Sequence, residues 1–241
     1  TDAMLKRLEV RGRPLNAVAG IDEADARRQA AEADATPSMG PLAGVPLAHK
    51  DMFYRPGRPS ECGSKIRKGF MPDVLSGALK RLDEAGALDV ARLNMVEFAL
   101  GVTGHNQITG DVRNPWNLDH ITGGSSSGSG AAVAARCTFG ALGSDTGGSV
   151  RLPAACCGVV GMKVSMGRVS RFGAMPLSYT LDSIGPLTRT VTDNALMLSV
   201  LAGYDADDPS SADMPVGDYL GRIEDGVRGL RIGLPANHFM D

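Results

Sequence analysis

Apolar and polar positions along this chain follow helical and strand periods in turn, and the changes of period mark out its elements. Residues 22–35 (DEADARRQAAEADA) are alanine-rich and charged, which predicts an exposed helix brought to an end by Thr36, Pro37 and Ser38. The short apolar segment LAGVPLAH (residues 42–49) reads as a strand that enters the core and delivers Lys50 and Asp51 at its end. Ser76 is placed to cap a helix running through Ala85, Gly86 to stop it, and residues 87–93 to follow as a strand. Further on, an alanine-rich stretch (residues 131–135) precedes the strand-like residues 138–142. Thr192 is expected to cap a helix over residues 193–201, and LRIGL (residues 230–234) reads as one more strand. Strands alternating with helices predict an α/β fold whose sheet is covered on both faces.

Composition narrows the class. With 241 residues, 43% of them apolar, the chain can bury one sizeable core, so a single domain over residues 1–241 is expected. A net charge of −2 with both signs interspersed gives no overall footprint for nucleic acid or an acidic membrane, and points to a small-molecule partner. No apolar run approaches the roughly 20 residues that span a bilayer, and the opening TDAMLKRLEV is too polar for a signal peptide, so a cytoplasmic protein is expected. Cys62, Cys137, Cys156 and Cys157 lack metal-ligand spacing, and the adjacent pair Cys156 and Cys157 is poorly placed for an ordinary disulfide; reduced thiols are the expectation. His49, His105, His120 and His238 share no i, i+3 or i, i+4 spacing, so neither metal nor cofactor is expected.

Between residues 114 and 161 glycine and serine crowd together, and two segments stand out: GGSSSGSG (residues 123–130) and GSDTGGSVR (residues 143–151). Glycine permits close backbone approach, so successive N–H groups can converge on an anion or an oxyanion, and hydroxyls stand beside them. A nucleoside-triphosphate loop is disfavoured because neither segment ends in Gly-Lys-Ser/Thr. The first segment also fits G-x-S-x-G, which would make Ser126 a nucleophile; yet NPWNLDHIT before it is not a strand, and only His238 lies downstream as a base.

Taken in order, GVPLAHKD (residues 44–51), NMVEFALG (94–101), RNPWN (113–117), GGSSSGSGAAVAA (123–135), GSDTGGSVRLPAACCGVVGMK (143–163) and LDSIGPLTRTVTD (181–193) resemble the amidase signature family. The resemblance implies that family's fold, a central mixed, twisted β-sheet with helices on both faces, here without the C-terminal part. It makes Ser149 the nucleophile, Ser125 a bridging serine preceded by a cis peptide bond, and Lys50 the base. The N–H groups of Thr146, Gly147, Gly148 and Ser149 would form the oxyanion hole, with Asp145 and Arg151 holding that loop in shape. Glu97 and Trp116 are expected to pack and to anchor loops.

The residue types suit the chemistry. A serine hydroxyl needs a base in reach as it attacks a carbonyl, and a lysine serves only when neutral. Burial at the end of an apolar strand disfavours the ammonium and lowers its pKa. The expected activity is hydrolysis of linear amides through a Ser149 acyl-enzyme, on a small-molecule amide, with a homodimer as the assembly to be considered. Two alternatives stand beside it: a glutamine-hydrolysing A subunit of an aminoacyl-tRNA amidotransferase, and a non-catalytic fragment. The A subunits of amidotransferases usually read Ile-Arg-Gln after the nucleophile, whereas this chain has Val150-Arg151-Leu152, which favours the stand-alone amidase.

Overall fold

Six strands among the described residues, arranged as two three-stranded sheets, carry the site. The computed structural model describes residues 1–36 and 40–234. In the first sheet, β1 (Val18–Ile21) pairs antiparallel with β3 (Leu88–Leu93), and β2 (Pro46–Lys50) pairs parallel with β3 on its other side. The second has the order β4-β6-β5, in which β6 (Ser183–Thr188) is antiparallel to both β4 (Gly140–Asp145) and β5 (Val160–Gly161). Strands β2 and β4 lie side by side. Across that seam the His49 side chain accepts the N–H of Leu142 at 3.2 Å through Nδ1.

Because neighbouring strand residues point to opposite faces, β2, β4 and β6 each feed two cores. Ala48, Val90, Ala141 and Leu187 pack with α1 (Asp2–Arg7), the π-helical turn that continues it, and α4 (Ser127–Ala134). Leu47, Leu142 and Ile184 pack on the other side with α3 (Gly77–Glu84) and α6 (Val191–Leu201). The expected mixed α/β arrangement with helices on both faces is therefore present.

Helix α2 (Glu23–Ala35) forms where the alanine-rich pattern places it, with Asp22 as N-cap accepting the N–H of Asp25 at 3.2 Å. Of the residues expected to end it, Pro37 and Ser38 lie outside the described residues. The segment expected as a strand from residue 42 makes turns first and becomes β2 only at Pro46. Ser76 precedes α3, but its buried hydroxyl has no partner among the described residues.

Two expectations change. The cap of α6 is Thr190 rather than Thr192: its extended backbone and its side-chain oxygen, 3.1 Å from the N–H of Asp193, fit the N-cap role, while Thr192 lies inside the first turn. Residues 230–234 are not a strand, since no described residue pairs with them; Leu230, Ile232 and Leu234 stand exposed. Strand β6, for which the apolar pattern gave no expectation, forms through Gly185 and Pro186. Pro186 sits where the β5 ladder stops, just past the Gly161–Leu187 pair, and a Cβ at Gly185 would lie 2.0 Å from the Met162 carbonyl oxygen. Helix α5 (Arg151–Cys157) follows directly from the second glycine–serine segment.

Candidate active site

Three elements bring the expected residues together. Lys50 is the last residue of β2 and is 1% exposed. Ser125 precedes α4, follows a cis Gly124–Ser125 peptide bond, and is fully buried. Ser149 lies in the turn between β4 and α5. Lys50 Nζ is hydrogen-bonded to Ser125 Oγ at 2.7 Å and to Ser144 Oγ at 2.9 Å. The Ser149 carbonyl accepts the N–H of Ser126 at 3.2 Å, which fixes the two serine loops against each other. Among the described residues no hydrogen bond links the Ser125 and Ser149 hydroxyls directly.

Burial is the largest influence on Lys50 and lowers its pKa to about 7, against weaker upward pulls from Cys62, Asp182 and Asp145. A lysine in that range is neutral in a large fraction of molecules near pH 7, as a base requires. The neighbouring His49 is also pushed down by burial, to about 4, so it stays neutral and serves the β2–β4 seam. Burial raises Asp51 to about 6 although Arg92 contacts it at 3.1 Å.

The loop before Ser149 is organised by Asp145. Its carboxylate accepts the N–H groups of Gly148 at 2.8 Å, Val150 at 3.2 Å and Arg151 at 3.3 Å. The Arg151 guanidinium adds two contacts of 3.0 Å in fork geometry. Burial alone would raise this carboxyl; the Arg151 and backbone hydrogen bonds outweigh it and hold the pKa at about 2. One expected oxyanion donor is thereby committed elsewhere: the N–H of Gly148 points at Asp145. The N–H groups of Thr146, Gly147 and Ser149 have no partner among the described residues. Gly148 adopts φ +139°, and a Cβ there would lie 2.8 Å from Leu152 Cδ1, so glycine is required for a close approach as well as for the turn.

Several supporting residues were not singled out from the sequence. Ser144 precedes Asp145 and gives Lys50 its second hydrogen bond. Lys163 Nζ donates to the carbonyls of Asp145 at 2.5 Å and Leu181 at 3.0 Å, tying the loop to the chain before β6. Asp182 accepts the Thr146 hydroxyl and, at 2.8 and 2.9 Å, the N–H groups of Leu177 and Ser178. The signal for Ser144 is its place in the glycine–serine segment; Lys163 and Asp182 are identified only by the packing of distant segments. A cavity of about 420 Å³, walled by Met52, Phe172, Met175 and Ile184, opens onto Ser144.

Other candidates fall away from this centre. Ser126 is buried and donates to the Ser144 carbonyl at 3.4 Å, with no histidine beside it among the described residues; His238 lies outside them. Trp116 anchors its loop by donating Nε1–H to the Cys157 carbonyl at 2.7 Å. Glu97 accepts the Ser64 hydroxyl at 2.6 Å. No group of three His, Cys, Asp or Glu among the described residues is arranged to hold a metal. Among the described residues no helix is long and apolar enough to cross a membrane.

Comparison with known proteins gives the family. The chain is 46% identical over its whole length to the A subunit of the glutamyl-tRNA(Gln) amidotransferase of Geobacter metallireducens, covering 50% of that protein. It spans about half the length of the curated relatives it matches. It superposes with a TM-score of 0.92 and 37% identity on a chain of a vestigial protein complex that bears on the origins of an s-triazine catabolic enzyme. That match covers 95% of this chain and 51% of the other. Against the peptide amidase of Stenotrophomonas maltophilia the TM-score is 0.84 at 38% identity, over 90% of this chain and 47% of that enzyme. The model of the family described as Amidase matches residues 1–241, and the chain belongs to that family.

Proposed function

We propose that the chain hydrolyses linear amides through an acyl-enzyme on Ser149. The observation that carries this reading is the buried Lys50, its pKa lowered to about 7 and its Nζ 2.7 Å from Ser125 Oγ. Ser149 Oγ attacks the amide carbon, and its proton passes to Ser125 Oγ as the Ser125 proton moves to neutral Lys50. The N–H groups of Thr146, Gly147 and Ser149 receive the developing oxyanion, a contribution worth about 100- to 1,000-fold in turnover per donor in comparable hydrolases. As the C–N bond breaks, the proton returns from Lys50 through Ser125 to the departing amine. Water then attacks the acyl-enzyme by the same relay in reverse, releasing the acid and restoring Ser149. Ser144 orients the lysine throughout.

A second reading, glutamine hydrolysis as part of an amidotransferase, is favoured by the 46% identity to the A subunit of such an enzyme. Leu152 argues for the stand-alone amidase, because it presents an apolar side chain over Gly148 where those subunits usually carry glutamine.

Intact-mass labelling with a fluorophosphonate tests the shared chemistry. A single adduct is expected on the wild-type chain, absent in Ser149→Ala and slowed in Ser125→Ala and Lys50→Met. A folded wild type that takes no label would leave the chain as a non-catalytic member of the family. An amide screen that includes glutamine then separates the two readings.

A further inference from the structure

Beyond the C-terminal end of α4, residues 136–139 that lead into β4, together with α1, Pro46 at the start of β2 and Arg189 after β6, line a cavity of about 400 Å³. Three arginines, Arg7, Arg136 and Arg189, are among the residues that line it, and no Asp or Glu is among the described residues that do. Nor does any of the three form an ion pair there, whereas the nearby acids Asp2 and Glu9 are taken by Arg27 and Arg13. Arg7 and Arg189 are held in place by backbone carbonyls. Arg7 Nη1 donates to the Arg136 carbonyl at 3.2 Å, and Arg189 Nη1 donates to the Thr138 carbonyl at 3.1 Å. Arg189 also lies 5.7 Å from the ring centre of Phe139, whose face is half exposed beside the cavity.

Arg136 occupies an unusual backbone position. Helix α4 closes with the N–H of Cys137 on the Ala132 carbonyl at 2.8 Å, and residue 136 adopts φ +59°. That left-handed position after a helix is where glycine is strongly preferred, so an arginine is kept there against the local backbone preference.

We infer that this cavity is a binding site for a phosphate-class oxyanion, held by the guanidinium groups of Arg7, Arg136 and Arg189. Arginine forks match phosphate oxygens in pairs, and an exposed ring next to a guanidinium offers a stacking face for a nucleobase. The site is separate from Lys50, Ser125 and Ser149 and does not depend on their chemistry. The mixed charge of the whole chain conceals it, because the three arginines come from distant segments.

Isothermal titration of the chain with inorganic pyrophosphate is the test, with a short fluorescein-labelled oligoribonucleotide as competitor. Pyrophosphate is expected to bind at one site, with affinity reduced roughly tenfold or more in Arg136→Gly and in Arg7→Ala/Arg189→Ala, as for loss of a charge-assisted hydrogen bond. Arg136→Gly should retain or raise the melting temperature, because glycine suits that backbone, so its loss of binding cannot be laid to misfolding. Competition by the oligoribonucleotide would identify a nucleic-acid phosphate as the ligand; pyrophosphate binding without competition would identify a free phosphate compound. A folded wild type that does not bind pyrophosphate, or variants that bind it unchanged, would overturn the assignment.

Discussion

At Lys50 a single proton decides whether the relay can run. The neutral amine is the base, and burial lowers its pKa to about 7. The labelling rate of Ser149 should therefore be low below pH 7, rise through that pH and level off above it. A stopped-flow pH series checks the sign; a rate that falls over the same interval would exclude lysine as the base. Ser144 accepts a hydrogen bond from the ammonium at 2.9 Å, so Ser144→Ala should disfavour the charged form and move the midpoint to lower pH. It should also slow labelling by roughly tenfold through lost orientation of the amine. A merely structural role would leave the midpoint where it is. Lys50, Ser125 and Ser149 were expected only through the resemblance of an ordered series of motifs, since each alone reads as an ordinary surface or loop residue, and the structure places Lys50 Nζ 2.7 Å from Ser125 Oγ. Ser144 was not expected, since its contact exists only where β4 runs beside β2, a pairing that no local pattern encodes.

Between residue and fold stands the β4–α5 turn, whose shape depends on one carboxylate. Asp145 satisfies three backbone N–H groups, and each left buried and unpaired costs about 1 to 3 kcal/mol. Asp145→Ala should then destabilise by about 2 to 4 kcal/mol, read as a lowered urea midpoint. Arg151→Met should cost only about 1 kcal/mol or less, because that side chain is 52% exposed and its ion pair is screened. Equal losses would show that the guanidinium, not the backbone ladder, holds the turn. The pH dependence has a definite sign: the folded pKa of about 2 lies below the usual 3.8, so Asp145's contribution is intact above about pH 4 and is lost as pH falls towards 2. The sequence identified Asp145 and Arg151 together as loop supports but could not show that Gly148's N–H would be consumed by that support. Strand β6 was not predicted for a related reason: Gly185 and Pro186 are accommodated in it by Met162 and the end of β5, which are distant in sequence.

For the molecule as a whole, alternation specifies which face should be buried but not what buries it. The pattern of residues 230–234 puts Leu230, Ile232 and Leu234 on one side, as a strand would, yet they are 69%, 86% and 78% exposed. The strand expected there has no partner among the described residues, so its apolar side chains face solvent alongside Val227, itself 74% exposed. The inner elements were legible because their partners lie within the described chain: the apolar runs leading to Lys50 and Leu93 meet each other in the β2–β3 ladder. A row of exposed aliphatic side chains is a template for association. The isolated 241-residue chain should therefore self-associate with rising concentration in sedimentation velocity. Leu230→Asp/Ile232→Asp should suppress that association and leave the melting temperature of the dilute protein unchanged, because both side chains are exposed. Association that survives the double substitution would move the contact elsewhere on the surface, while a lowered melting temperature would mean that residues 230–234 pack against the domain in solution.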